Sequence, residues 1–258
     1  MRHKSFDAYA ECLHRSLNHT FKVIRRWFLK NIISLQKNKL MKKLLSISAI
    51  LFLVACNYST STDKLLAEVW HRDQHVRHQM QELTKAVSID GKMELVDSLI
   101  MICESVDRID NENIAIIDSL LQQGLPRGLS KESYKTIWIV IDHASLEKQE
   151  QYLPLIEQMT IEGLIESDNY AILFDRIAMR RNRPQRYGSQ SVQFGSPGNM
   201  NLYIWPVENF EILDSLRSTV GLTPISEYLQ QLTQSTGINA QYTPQITIEE
   251  INQMRTSE

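Results

Sequence analysis

Apolar positions recur at three- and four-residue steps through much of the chain, the repeat of an amphipathic helix. In residues 63–87 Leu65, Leu66, Val69, Val76, Met80 and Leu83 follow it, with Asp63 placed as an N-cap and Gly91 as the stop. Residues 93–106 and 112–123 repeat the pattern as two further helices, the second ended by Gly124 and Pro126. Ser130 opens the next helix, and its run Ile137-Trp138-Ile139-Val140-Ile141 is so apolar that a central position is predicted. Residues 145–162 and 167–181 follow as helices with Gly163 between them.

Beyond Arg183 the period changes. Residues 186–194 alternate and are rich in β-formers, residues 195–199 are a Gly/Ser/Pro/Asn turn cluster, and residues 202–205 form a second short strand, which predicts one β-hairpin at about 186–205. Helices resume at 208–218 and 224–236. The tail 237–258 has little apolar content but carries a Thr247-to-Glu250 helix start signal. No segment repeats at a fixed period, which argues against a solenoid. The expectation is a mainly α fold: a compact multi-helix domain over 63–236 with one small β-hairpin.

One run does not fit this pattern. Leu44 to Ala55 is uncharged, follows Lys42-Lys43, and at 12 residues is too short to cross a hydrocarbon core of about 30 Å. A basic start, a short apolar run and small residues before a cut site are the signature of a secretory signal. Here the run ends Leu53-Val54-Ala55-Cys56, which resembles the lipobox of bacterial lipoproteins. That resemblance implies a signal peptide over 41–55, lipid on Cys56 as the mature N-terminus, a polar tether over 56–62, and an outer-membrane lipoprotein of the cell envelope, facing the periplasm or the surface. Residues 1–40, a basic preface ahead of Met41, are then read as preceding the true start.

The charge balance reverses at the same point. Up to Lys43 there are 11 basic and 2 acidic residues, leaving 17 basic and 28 acidic beyond it, a net of −11. So negative a domain opposes a polyphosphate backbone, and nucleic acid is not expected as a partner. Beyond Cys56 the single cysteine is Cys103, in the apolar run Leu99 to Ile102, where it reads as a small buried hydrophobe.

Candidate chemistry is sparse. No P-loop, dinucleotide fingerprint, nucleophile elbow or paired-cysteine motif is present, and no cofactor is expected. His71, His75 and His78 share one helix face but lack the intervening Glu of a zinc helix, so they read as a solvated face and no metal is assigned. Arg176, Arg180, Arg181, Arg183 and Arg186 form a local basic cluster, open to ion pairing at a helix end or to a ligand anion. A further set of short signals runs through the domain: Asp73-Gln74 with Arg77, Gly124-Leu125-Pro126, His143-Ala144, Tyr170-Ala171 with Asp175-Arg176, Pro184-Gln185, Tyr187-Gly188-Ser189-Gln190, and Gly221-Leu222 with Tyr228. In order and spacing they resemble an uncharacterised bacterial family of exported and lipid-anchored proteins. The sequence departs from that pattern at Asp142, where Gln is usual, and at Ser189, where Thr is common.

The resemblance implies a shared fold and a shared polar site, without a substrate. Three readings follow. The first is a lipid-anchored domain that binds a small molecule or protein partner through Asp73, Gln74, Arg77, His143, Asp175, Arg176, Tyr187 and Gln190. The second is a hydrolase-like enzyme in which His143 and Asp175 form the acid–base pair, His143, Asp175, Arg176 and Gln190 gathering at one site. The third is an interaction domain whose polar groups satisfy one another.

Overall fold

The computed structural model describes residues 39–196 and 199–256, with side chains from Thr60 onward. The chain divides into two units, Met1–Tyr58 and Ser59–Glu258. In the first, residues 39–58 are α-helical, and the apolar run 44–55 lies within them; residues 1–38 lie outside the described part. Among the described residues no helix is long and apolar enough to cross a membrane.

The second unit is mainly α with a small sheet, as the periodicity predicts. Its helices are α1 (Lys39–Ser88, from residue 59 on), α2 (Val96–Leu121), α3 (Lys131–His143), α4 (Leu146–Ile161), α5 (Ser167–Arg180), α6 (Leu213–Thr219), α7 (Ile225–Thr236) and α8 (Ile248–Thr256). Strands β1 (Ser191–Ser196) and β2 (Asn199–Ile204) pair antiparallel, and β3 (Ala240–Gln241) adds to β2 in parallel.

Helix α3 is the central element. Ser130 caps it, its hydroxyl accepting from the Ser133 amide, and Ile137, Trp138, Val140 and Ile141 are all buried. Around them pack Leu66 and Val69 of α1, Ile117 of α2, Ile156 and Met159 of α4 and Leu173 of α5. Each such aliphatic side chain contributes about 1.5–3 kcal/mol by leaving water. A second apolar cluster seats the sheet: Leu202, Ile238 and Ala240 against Ile89, Met200, Leu229 and Leu232.

Four local expectations are corrected. Asp63 is not an N-cap: helix α1 runs through it, and its Oδ1 accepts from the Ser130 amide 3.0 Å away. The two helices expected over 93–106 and 112–123 are one, Val96–Leu121, entered by a 3-10 turn at Met93–Leu95, because nothing between them breaks it and Val106, Ile109 and Asn113 bury one continuous stripe. Cys103 is exposed, since its neighbours Ile100 and Met101 also face solvent. The hairpin is shorter than 186–205: its ladder begins at Ser191 opposite Ile204, and residues 186–190 form a loop instead. In the tail, Thr247 and Glu250 cap α8 reciprocally, and Ile251 is buried.

Candidate functional site

Helices α1, α2 and α3 bring Asp73, Arg77, Asp110 and His143 together. Asp73 is 0% exposed. Its Oδ1 lies 3.1 Å from His143 Nδ1 and 3.5 Å from Arg77 Nε, one helical turn away, while Oδ2 accepts from the Gln74 amide at 2.8 Å. An ionised carboxylate can only accept, so the proton between the pair sits on Nδ1 and Nε2 is the nitrogen turned away from Asp73. Burial by itself would raise the pKa of Asp73. The hydrogen bond and charge of His143, then the charge of Arg77 and the Gln74 amide, outweigh it, and the pKa is lowered.

Asp110 completes the cluster, accepting from Arg77 Nη2 at 2.5 Å. Here burial wins: the pKa of Asp110 is raised against the pull of Arg77 and His143, with the like charge of Asp73 adding to the rise. Asp73, Asp110 and His143 offer ligand atoms that lie within 4.8 Å of one another and are the residues that could hold a metal ion. The cation facing both carboxylates is the Arg77 guanidinium, and a divalent ion would have to displace it.

Asp175 on α5 does different work. Also 0% exposed, it accepts from the backbone amides of Arg186, Tyr187 and Ser189 at 2.8, 3.1 and 3.0 Å and from the Ser189 hydroxyl at 2.9 Å. Gln185 finishes the job. Its Oε1 accepts from Gln190 N, and its Nε2 donates to the carbonyls of Gln190 and Trp205. Two side chains therefore replace the strand partner that residues 186–189 lack, Gln190 O alone keeping a backbone bond, from Trp205 N, and Gly188, at φ 64°, supplies a left-handed step in the loop. Desolvation dominates Asp175, raising its pKa despite four neutral donors.

Arg176 sits at the border of the two arrangements. Its Nε donates to Asp142 Oδ1 at 2.9 Å, beside His143, and its side chain also lines a cavity of about 380 Å³ with Ser189, Gln190, Ser191, Arg217 and Tyr228. Gln190 Nε2 donates to Ile172 O and to the Ser189 hydroxyl. Tyr228 donates to Ser189 O at 2.7 Å, and its ring lies 4.8 Å from the Arg217 guanidinium carbon.

The expected gathering of His143, Asp175, Arg176 and Gln190 is therefore partial. Asp175, Arg176 and Gln190 surround one loop and its cavity. His143 instead takes Asp73 as its carboxylate, and the Asp175 carboxylate is filled by the loop amides. Tyr187 is buried, its backbone amide on Asp175 and its carbonyl accepting from Arg217. The basic cluster is dispersed: Arg180 donates to Ala144 O and Arg181 pairs with Glu150. His71, His75 and His78 are all exposed. Sequence reasoning missed Asp110 and Arg217. Arg217 carried a signal, since it falls four residues after the buried Leu213 and so on the apolar face of α6.

A mainly α domain in which two buried carboxylates organise a loop and an imidazole is the class this geometry defines. The chain belongs to a family of unknown function, DUF6624, which it matches over residues 61–241. No curated protein matches it, and no solved structure does.

Proposed function

We propose that the chain is a lipid-anchored protein of the bacterial cell envelope whose folded domain binds a small ligand in the cavity beside the 186–190 loop. The observation that carries this reading is preorganisation. The cavity wall is a loop whose amides are fixed by Asp175 and Gln185, so little ordering entropy opposes binding. The lipid anchor rests on the signal-like run ending at Cys56 and the polar residues after it.

Hydrolase chemistry through His143 and Asp175 is disfavoured, since the two are not partners and His143 does not line this cavity. A thermal-shift screen of the full-length protein in mild detergent against small envelope metabolites tests the binding reading. Compounds that raise the Tm, with a smaller rise in Gln190→Ala, support it. A screen in which nothing raises the Tm, or in which the rise ignores every cavity substitution, rejects it.

A further inference from the structure

We infer that the ligand of this cavity is a small oxyanion, a carboxylate or phosphate, gripped by the guanidinium groups of Arg217 and Arg176; the inference rests on the binding reading above. Arg217 is 1% exposed, and a buried cation is expected to have an anionic partner. Among the described residues it has no ion pair. Its Nε donates to Thr223 O at 2.5 Å, and its Nη1 donates to Tyr187 O and Gly188 O at 2.7 and 3.0 Å. Those bonds use three of the five guanidinium hydrogens. The two on Nη2 meet no acceptor among the described residues, and Arg217 is a wall of the cavity.

Arg176 is the second cation on that wall. Asp142 engages its Nε edge, which leaves its terminal nitrogens for a ligand. Ser189, Gln190 and Ser191 supply further polar groups, and no carboxylate lines the cavity. Burial lowers the pKa of Arg217, while Tyr228, Asp214 and Asp175 pull the other way, so an anion arriving at Nη2 would relieve a desolvated charge. Guanidinium forks match oxyanion geometry, and such charge-assisted bonds are about twice as strong as neutral ones. About 380 Å³ suits a small metabolite.

Isothermal titration of the full-length protein in detergent with inorganic phosphate, with succinate, and with glucose as a neutral probe tests the inference. Saturable binding of phosphate or of succinate is expected, and the arm that binds names the class. Binding should weaken by at least about tenfold in Arg217→Met, as loss of a charge-assisted bond requires. Since Arg217 also holds the loop, that variant can misfold. Ser191→Glu, which sets a carboxylate on the wall at a half-buried strand position, should abolish anion binding with the unliganded Tm kept. Two results overturn the inference alone: binding of glucose or of a screened metabolite at the cavity without either anion, which leaves the binding reading standing, and anion binding untouched by Ser191→Glu. No binding by any probe, with a metabolite screen that is also silent, removes both.

Discussion

Asp73 and Asp175 are both closed to solvent, yet one is held by cations and the other by neutral amides and a hydroxyl. His143 and Arg77 face Asp73; the partners of Asp175 are three backbone N–H groups and a hydroxyl. Their pKa values move in opposite directions as a result, down for Asp73 and up for Asp175. Burial is the largest influence on both; the hydrogen bond and charge of His143, with Arg77 and Gln74, outweigh it at Asp73, and four neutral donors do not outweigh it at Asp175.

Stability in acid should therefore depend on Asp73. Its folded pKa is lowered, so its contribution is present above the unfolded value of about 3.9 and is lost as pH falls through the folded pKa. Asp73→Asn is expected to cost about 1–3 kcal/mol at neutral pH, because it takes the carboxylate from the half-buried His143 and leaves Arg77 with Asp110 alone. It should also flatten the acid limb of a Tm-against-pH curve; an unchanged limb would contradict the assignment.

Asp175→Asn should behave differently. The amide keeps one acceptor and turns a donor toward the loop amides that Oδ1 and Oδ2 now receive, at a cost of about 1–3 kcal/mol for each group left unsatisfied. Because its folded pKa is raised, its contribution is present below the unfolded pKa and is lost as pH rises through the folded pKa. Urea titrations of the variant should show the lower stability at pH 7 with no flattening of the acid limb. Faster amide exchange at residues 186–190 is the local signature.

Tyr152 gives an alkaline counterpart. Burial, then its hydrogen bond to Asp118 and the charge of that carboxylate, push its pKa to about 12. Stability from this contact is complete below pH 10 or so, the ordinary tyrosine value, and is lost as pH rises through the folded pKa. Tyrosinate absorbance should show several late-titrating groups, since burial also raises the pKa of Tyr170, Tyr187, Tyr228 and Tyr242, with one fewer of them in Tyr152→Phe. An unchanged late amplitude in that variant would contradict the assignment.

Cys56→Ala is expected to abolish incorporation of a fatty-acid analogue and to release the protein from membranes. Retained labelling in that variant would sink the lipid anchor.

Most of the helices were legible because their signals are local. Ser130 and Ser145 cap where a serine before an apolar period should, and Thr247 with Glu250 closes a capping box. Residues 186–190 form a loop despite a genuine strand-like alternation. What cancels it is a side chain on another element, Asp175, which no pattern within the loop announces. The site was half legible for the same reason. Asp73, Arg77, His143, Asp175, Arg176 and Gln190 each stood out in a short motif, but which carboxylate meets His143 depends on how α1 packs against α3. Asp110 sits among other polar residues of α2 and reads as part of a solvated face until Arg77 is placed beside it.

The two carboxylates also differ in how far along the chain they reach. Asp175 binds residues 11 to 14 positions away, whereas Asp73 finds His143 across 70. Closing the shorter loop costs less entropy, so the α5–loop unit is expected to organise early in folding and the Asp73–His143 contact late. In stopped-flow experiments Asp175→Asn should chiefly slow folding and Asp73→Asn should chiefly speed unfolding, with the reverse pattern refuting this order. On refolding, the loop that forms one wall of the cavity would then be set before the first helix joins the third, and the rest of the wall, from Arg217 to Tyr228, would close onto a surface already in place.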